Sequence, residues 1–266
     1  MNPVGQFIPG KSFLHRMDPR TKIFFVFIMM IMIFTSRFYL CYAWIFLLIL
    51  SGFWIADVSL LYTLKVSKQI WIIIFLTAFF HLWLTKQGEV IFHYSFVTIY
   101  EEGLRKALFV TFRFILLILT ASLLTFTTST IDLIDGLEKL FQPFARFGFP
   151  AHEFSLMMSI TLRFIPLLWE EMQNVKRAQL ARGAQLDQGW IWQRIKHMIP
   201  LFIPLFLSIL RRSDELAQAM ESRCYRGNQN RTKFRQLTFT YVDAWAIGVM
   251  LLFVLGFLIL QKVGVV

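Results

Sequence analysis

Five long apolar runs govern what this chain of 266 residues can become. They extend over about Lys22 to Thr35, Tyr39 to Ala56, Ile70 to Leu84, Ala107 to Thr127 and Val242 to Leu260, with Asp243 the only acidic residue among them. A bilayer core takes roughly 20 predominantly apolar helical residues, and a shorter span must tilt, thin the bilayer or stop at an interface. The first two runs are short and are separated only by Ser36, Arg37 and Phe38, which predicts a tight hairpin. Composition agrees: 57% of residues are hydrophobic and 16% charged, against roughly 25% charged in an ordinary soluble domain. The sequence therefore predicts an all-α polytopic membrane protein with about five transmembrane helices.

Charge sets an orientation. Lys and Arg stay preferentially on the cytoplasmic side of a membrane. The N-terminal segment up to and including Lys22, the segment between the second and third runs, and Asp132 to Gln236 together hold 21 of the 27 basic residues. Five crossings with the N-terminus inside and the C-terminus outside satisfy this distribution. It also gives the net charge of +11 a cytoplasmic membrane face as its natural meaning, with no nucleic-acid partner.

Two further apolar stretches, Phe154 to Trp169 and Ile195 to Leu210, are interrupted by Arg163 and Pro166 and by Pro200 and Pro204. As a pair of spans they would put Lys176, Arg177, Arg182 and Arg194 outside in a short loop, against the charge rule. They read instead as parts of two long helices on the cytoplasmic side, Phe154 to Ala181 and about Trp190 to Arg223. Each has an arginine in its last turn, Arg182 followed by Gly183 and Arg223 followed by Cys224, and Gly183 suits a left-handed C-terminal cap. One such arginine serves a helix dipole, typically by about 0.3–1 kcal/mol. Two read as paired levers reaching acidic partners, because the planar guanidinium binds carboxylates bidentately and keeps its charge.

Other chemistry is sparsely represented. Cys41 and Cys224 leave no disulfide framework, and the histidines have no metal-ligand spacing, so neither cofactor nor metal is expected. Gly5-Gln6-Phe7-Ile8-Pro9-Gly10-Lys11-Ser12 matches the phosphate-loop expression letter for letter. It lacks the preceding strand and the α/β domain that such a loop requires. It reads instead as an amphipathic arm on the inner membrane face, with Phe7, Ile8, Phe13 and Leu14 inserted and its basic residues near the headgroups. Glu101-Glu102 and Glu170-Glu171 are adjacent and point apart on a helix. Arg113 lies within the fourth span, where a charge is costly unless paired or snorkelling, and it reads as a local anchor. No catalytic residues are expected.

The segment Pro9-Gly10-Lys11-Ser12-Phe13-Leu14-His15-Arg16-Met17-Asp18-Pro19-Arg20-Thr21-Lys22 resembles the N-terminal signature of the transmembrane T component of energy-coupling factor (ECF) vitamin transporters. Ala181-Arg182-Gly183 and Ser222-Arg223-Cys224 resemble the two short arginine motifs that end that family's coupling helices. In the second, Ser and Cys stand in place of Ala and Gly, while the charged residue is kept. The resemblance implies a non-catalytic scaffold and coupling subunit between two cytosolic ABC ATPases and a membrane S component that binds a vitamin or similar micronutrient. It implies that Arg182 contacts one ATPase and Arg223 the other, in a bacterial cytoplasmic membrane. The expected organisation is an arm with four spans over 1–127, a cytoplasmic coupling-helix module over 128–237 and the last span over 238–266.

Large apolar residues on helices that should not span, namely Phe154, Met157, Met158, Phe164, Phe202 and Phe206, are candidates for the S-component interface. Flexible, methionine-containing apolar surfaces suit partners that vary. Two alternatives differ at identifiable residues. A conventional ABC-importer permease would carry its cytoplasmic-loop motif, of which Gly183-Ala184-Gln185, Gly189 and Ile199-Pro200-Leu201 reproduce spacing but not the leading glutamate, second alanine or final proline. A membrane-embedded lipid enzyme would need a convergent acid–base set, which the sequence does not offer.

Overall fold

The computed structural model describes residues 7–10, 12–36, 38–66, 68–85, 87–94, 97–147, 150–184, 190–227 and 239–263. The helices in chain order are α1 (Phe13–Arg16), α2 (Pro19–Thr35), α3 (Tyr39–Ala56), α4 (Leu60–Val66), α5 (Lys68–Leu84), α6 (Glu101–Thr127), α7 (Thr130–Phe141), α8 (Ala151–Ala181), α9 (Ile191–Ser222) and α10 (Tyr241–Val263). A 3₁₀ turn, Gln142–Phe147, lies between α7 and α8. Helices α3, α6 and α10 are long and apolar enough to cross a bilayer, and α5 carries a shorter apolar stretch, Ile70–Leu84. The chain is thus an all-α membrane protein built on the predicted apolar runs.

One short sheet was not anticipated. Val90–Tyr94 (β1) and Val97–Tyr100 (β2) pair antiparallel, with Tyr94 opposite Val97 and an irregularity between Val90 and Phe92. Both strands are rich in β-branched and aromatic residues, which favour a pleated backbone. Directly after β2, α6 begins on the last turn of α5. There Gly103 is required: a Cβ would stand 3.3 Å from the carbonyl oxygens of His81 and Thr85.

The chain divides into two compact units, Gln6–Gly136 with Leu237–Val266, and Met1–Gly5 with Leu137–Gln236. In the first, α6 packs against α2, α3 and α5. Ile33, Cys41, Ile45, Phe53, Leu116 and Phe126 are completely or almost completely buried. In the second, α8 packs on α9.

The arm resembling the family signature is held by buried polar groups. Asp18 caps α2 by accepting from Arg20 N at 2.9 Å, with Pro19 in the first turn, where its missing N–H costs nothing. Asp243, fully buried in the first turn of α10, accepts from Asp18 N (2.8 Å), Thr21 Oγ1 (3.2 Å), Thr240 N (2.9 Å) and Thr240 Oγ1 (2.7 Å). Lys22 Nζ donates to Thr127 O at 2.9 Å and to Thr128 Oγ1 at 3.2 Å, at the end of α6. Ile8 N donates to Phe126 O at 3.1 Å. Arm, α2, α6 and α10 are therefore tied at one end of the bundle.

This arrangement corrects the reading of the arm as a simple membrane-surface helix. Phe7 and Phe13 are exposed, but Ile8 and Leu14 pack against the protein core, and Lys22 is buried, with its ammonium on Thr127 O and Thr128 Oγ1. A cation leaves the surface when fixed acceptors replace its water, and here α6 supplies them. In the phosphate-loop-like stretch, Ser12 Oγ is 2.7 Å from His15 Nδ1, and His15 Nε2 is 3.0 Å from Ile8 O. The described residues thus form a turn around His15; Gly5, Gln6 and Lys11 lie outside them.

Candidate coupling site

Helices α8 and α9 have 31 and 32 residues, so each extends for about 45–50 Å. Pro166 lies within α8, and Pro200 and Pro204 within α9. Each proline removes one intrahelical hydrogen bond, yet both helices continue through them. The pair is joined at Glu171, which takes Arg212 as an ion-pair partner at 3.1 Å and accepts a hydrogen bond from Ser208 Oγ.

From that junction the two helices run equal distances to their C-terminal ends. Arg182 stands eleven residues after Glu171, and Arg223 eleven after Arg212, a helical rise of about 16 Å in each case. Both ends stop in the same way. At α8, Arg182 is the C-cap, Gly183 N donates to Leu180 O (2.9 Å) and Ala184 N to Gln179 O (3.0 Å). At α9, Arg223 is the C-cap, Cys224 N donates to Glu221 O (2.8 Å) and Tyr225 N to Met220 O (2.9 Å). Each is a Schellman closure, with its paired bonds and a left-handed residue just after the cap.

That residue is Gly183 at φ 82° in one case and Cys224 at φ 59° in the other. The Ser-Arg-Cys departure therefore falls at the position where a side chain is strained. A left-handed L-residue costs roughly 1–2 kcal/mol, whereas glycine adopts the conformation freely. No other group lies within 4 Å of where a Cβ would stand on Gly183, so backbone conformation alone sets the cost there. Cys224→Gly is expected to stabilise the last turn of α9 by about 1 kcal/mol, and Gly183→Ala to weaken that of α8 by a similar amount. Amide hydrogen exchange over Ala219–Arg223 and Ala178–Arg182 reads both; unchanged protection in both variants contradicts the assignment.

The structure thus gives Ala181, Arg182 and Gly183, and Ser222, Arg223 and Cys224, equivalent places in two matching helix ends. Ser222, Arg223 and Cys224 are exposed, as are Ala181 and Arg182. Of the apolar candidates, Phe154, Met157 and Met158 on α8 and Phe202 and Phe206 on α9 are exposed, while Phe164 is half-buried. On α9 the exposed surface is wider than the aromatic residues alone indicated. Met198, Ile199, Phe202, Ile203, Phe206 and Leu207 follow one another at helical spacing, a continuous apolar stripe of a kind that marks contact with protein or membrane. Among the described residues, no group of His, Cys, Asp and Glu side chains could hold a metal ion.

Sequence reasoning missed Asp243 as a buried junction. The available signal was one carboxylate at the start of an otherwise apolar span, since intramembrane ionisable groups face the protein interior.

A family profile described as cobalt transport protein, CbiQ, matches residues 10–234. The chain is 46% identical over 255 residues to the energy-coupling factor transporter transmembrane protein EcfT of Brevibacillus brevis, covering 95% of this chain and 96% of that protein. It is 46% identical over 253 residues to the EcfT protein of Acidaminococcus fermentans, covering 95% and 94%, and 40% identical over 245 residues to that of Bacillus subtilis, covering 92% of each. The resemblance drawn from the arm and the two arginine motifs is borne out at the level of the family.

Proposed function

The chain belongs to the CbiQ family of cobalt transport proteins and is an EcfT-type transmembrane component of a transporter, and from this membership together with the geometry of α8 and α9 we propose that it couples two cytosolic ABC ATPases to a membrane S component. The observation that carries the reading is the pair of identically closed, arginine-capped helix ends at equal offsets from the Glu171–Arg212 junction. Two equivalent cationic tips suit two related acidic grooves, each arginine offering a planar fork to a carboxylate. Motion imposed at either tip passes along a continuous helix to the junction, so the pair responds as linked levers. The apolar stripe of α9, with Phe154, Met157, Met158 and Phe164 of α8, forms the surface for an S component that binds a vitamin or similar micronutrient.

In this role the chain is non-catalytic. It supplies neither nucleotide chemistry nor substrate selectivity, and it crosses the bacterial cytoplasmic membrane five times with its N-terminus inside. The arm and four spans occupy 1–127, the coupling-helix module 128–237 and the last span 238–266. Purification of the full chain in mild detergent is expected to bring down two ATPase subunits and a small membrane protein. Gln185→Cys, in a chain carrying Cys41→Ser and Cys224→Ser, is expected to react only with a membrane-permeant thiol reagent in intact cells. Purification without an ATPase, or efficient labelling by an impermeant reagent, contradicts the proposal.

A further inference from the structure

Arg113 sits in the bundle at a place that the coupling role does not use. It is the thirteenth residue of α6, which would put it about 18 Å from that helix's first residue. Neighbouring contacts fix its level relative to α3. Tyr39, the first residue of α3, stacks on Phe109 with ring centroids 4.2 Å apart, and Tyr42 packs on the same ring at 5.7 Å. The N-terminal end of α3 is therefore level with Phe109, and Arg113 lies one turn deeper, about 6 Å along α6. A guanidinium on its long stem can snorkel across that distance to a headgroup. One turn on the other side of Phe109, Arg105 places its Cζ 5.8 Å from the Phe109 ring centroid. Two arginines thus stand one turn to either side of Phe109 along α6, near the N-terminal end of α3.

The guanidinium of Arg113 is oriented by the protein but not neutralised by it. Its Nε donates to Tyr42 Oη at 3.3 Å, and its Cζ lies 5.8 Å from the Phe34 ring centroid. Among the described residues, neither Arg113 nor Arg105 has a carboxylate within 4.0 Å. With Nε occupied, the two Nη groups remain as the planar pair that suits a phosphate. Tyr42, the hydrogen-bond partner of Arg113, also lines an apolar cavity of about 320 Å³ between α3 and α6, together with Ala43, Phe46, Phe112 and Ile115. That volume is within the range of roughly 300–1,000 Å³ typical of small-molecule sites.

We propose that this groove binds one anionic phospholipid, with Arg113 holding the phosphate, Arg105 adding charge above it and an acyl chain lying along Ala43, Phe46, Phe112 and Ile115. The occupant follows from charge complementarity combined with depth. An uncompensated cation one turn below a membrane surface, beside an apolar slot open to the bilayer, matches a molecule with an anionic head and a hydrocarbon tail. Tyr42 is a positioning residue, since its hydroxyl engages Nε and turns the Nη pair outward.

The test uses the full chain reconstituted in nanodiscs of mixed phosphatidylglycerol and phosphatidylcholine, followed by detergent extraction and native mass spectrometry of retained lipid. Wild type is expected to retain one phosphatidylglycerol in preference to phosphatidylcholine, and Arg113→Gln to lower that preference about tenfold, as for loss of a charge-assisted contact. Ala43→Phe fills the groove while leaving both arginines in place, and it is expected to lower retention of either lipid. It decides the matter if Arg113→Gln does not fold. Equal retention of the two lipids by wild type overturns the proposal and leaves the arginines to an acidic group of a partner protein. Retention unaltered in Ala43→Phe overturns it as well.

Discussion

Arg182→Glu combined with Arg223→Glu is expected to abolish association of the chain with the two ATPases of the proposed complex and to stop that complex's vitamin uptake in vesicles. In the proposed complex each arginine caps a long helix and places its fork against acidic residues. Truncating one partner of a buried, hydrogen-bonded charge pair costs about 2–5 kcal/mol, and reversing the charge adds repulsion. Two such losses exceed the surplus that holds most transient assemblies. If the arginines served only their own helix dipoles, the loss would be about 0.3–1 kcal/mol of helix stability, with the complex still formed. Pull-down with each single variant and the double variant separates these magnitudes. Because the two ends close with the same hydrogen-bond pattern, the single variants should each weaken assembly to a comparable degree. Full ATPase association and uptake by the double variant would show the tips to be solvated helix ends.

Asp243→Ala is expected to have the largest effect on stability. Its carboxylate accepts from two backbone N–H groups and two hydroxyls at the meeting of the arm, α2 and α10. Alanine would leave those donors without an acceptor and remove a negative charge from the surroundings of the buried Lys22 ammonium. Breaking a buried charged network by removing one member costs about 3–5 kcal/mol. Asp243→Asn should be milder but still harmful, because each carboxylate oxygen accepts from a backbone N–H, and whichever position became the amide nitrogen would present its hydrogens to one of them. Thermal unfolding of the full chain in detergent, with Lys262→Ala at the exposed end of α10 as control, reads the difference. An unchanged midpoint in Asp243→Ala would remove the junction from the account of the fold.

Much of the architecture was legible in the chain because its signals are local. A bilayer demands apolar runs of a given length, and each of the five runs lies within a helix of the structure: Tyr39–Ala56 as drawn, Glu101–Thr127 with six further residues at its start. Prolines within α8 and α9 did not obscure those helices, since flanking residues keep a helical pattern on both sides. Gly183 announced a left-handed cap, and φ there bears it out. Cys224 gave no such signal, because its backbone is set by the closing bonds to Met220 and Glu221 and not by its own preference.

What only the tertiary structure decided concerns pairing across the chain. Asp18 and Asp243 meet across a separation of 225 residues, and Lys22 meets the end of α6 across 105. No period or motif encodes such meetings. Nor could hydrophobicity tell Ile33 and Ile45, completely buried, from Phe34 and Phe46, which are exposed. In water the contrast between a protein core and its solvent marks the inward face of a helix. In a bilayer both faces are apolar, that contrast vanishes, and packing alone determines which side chains meet protein and which meet lipid.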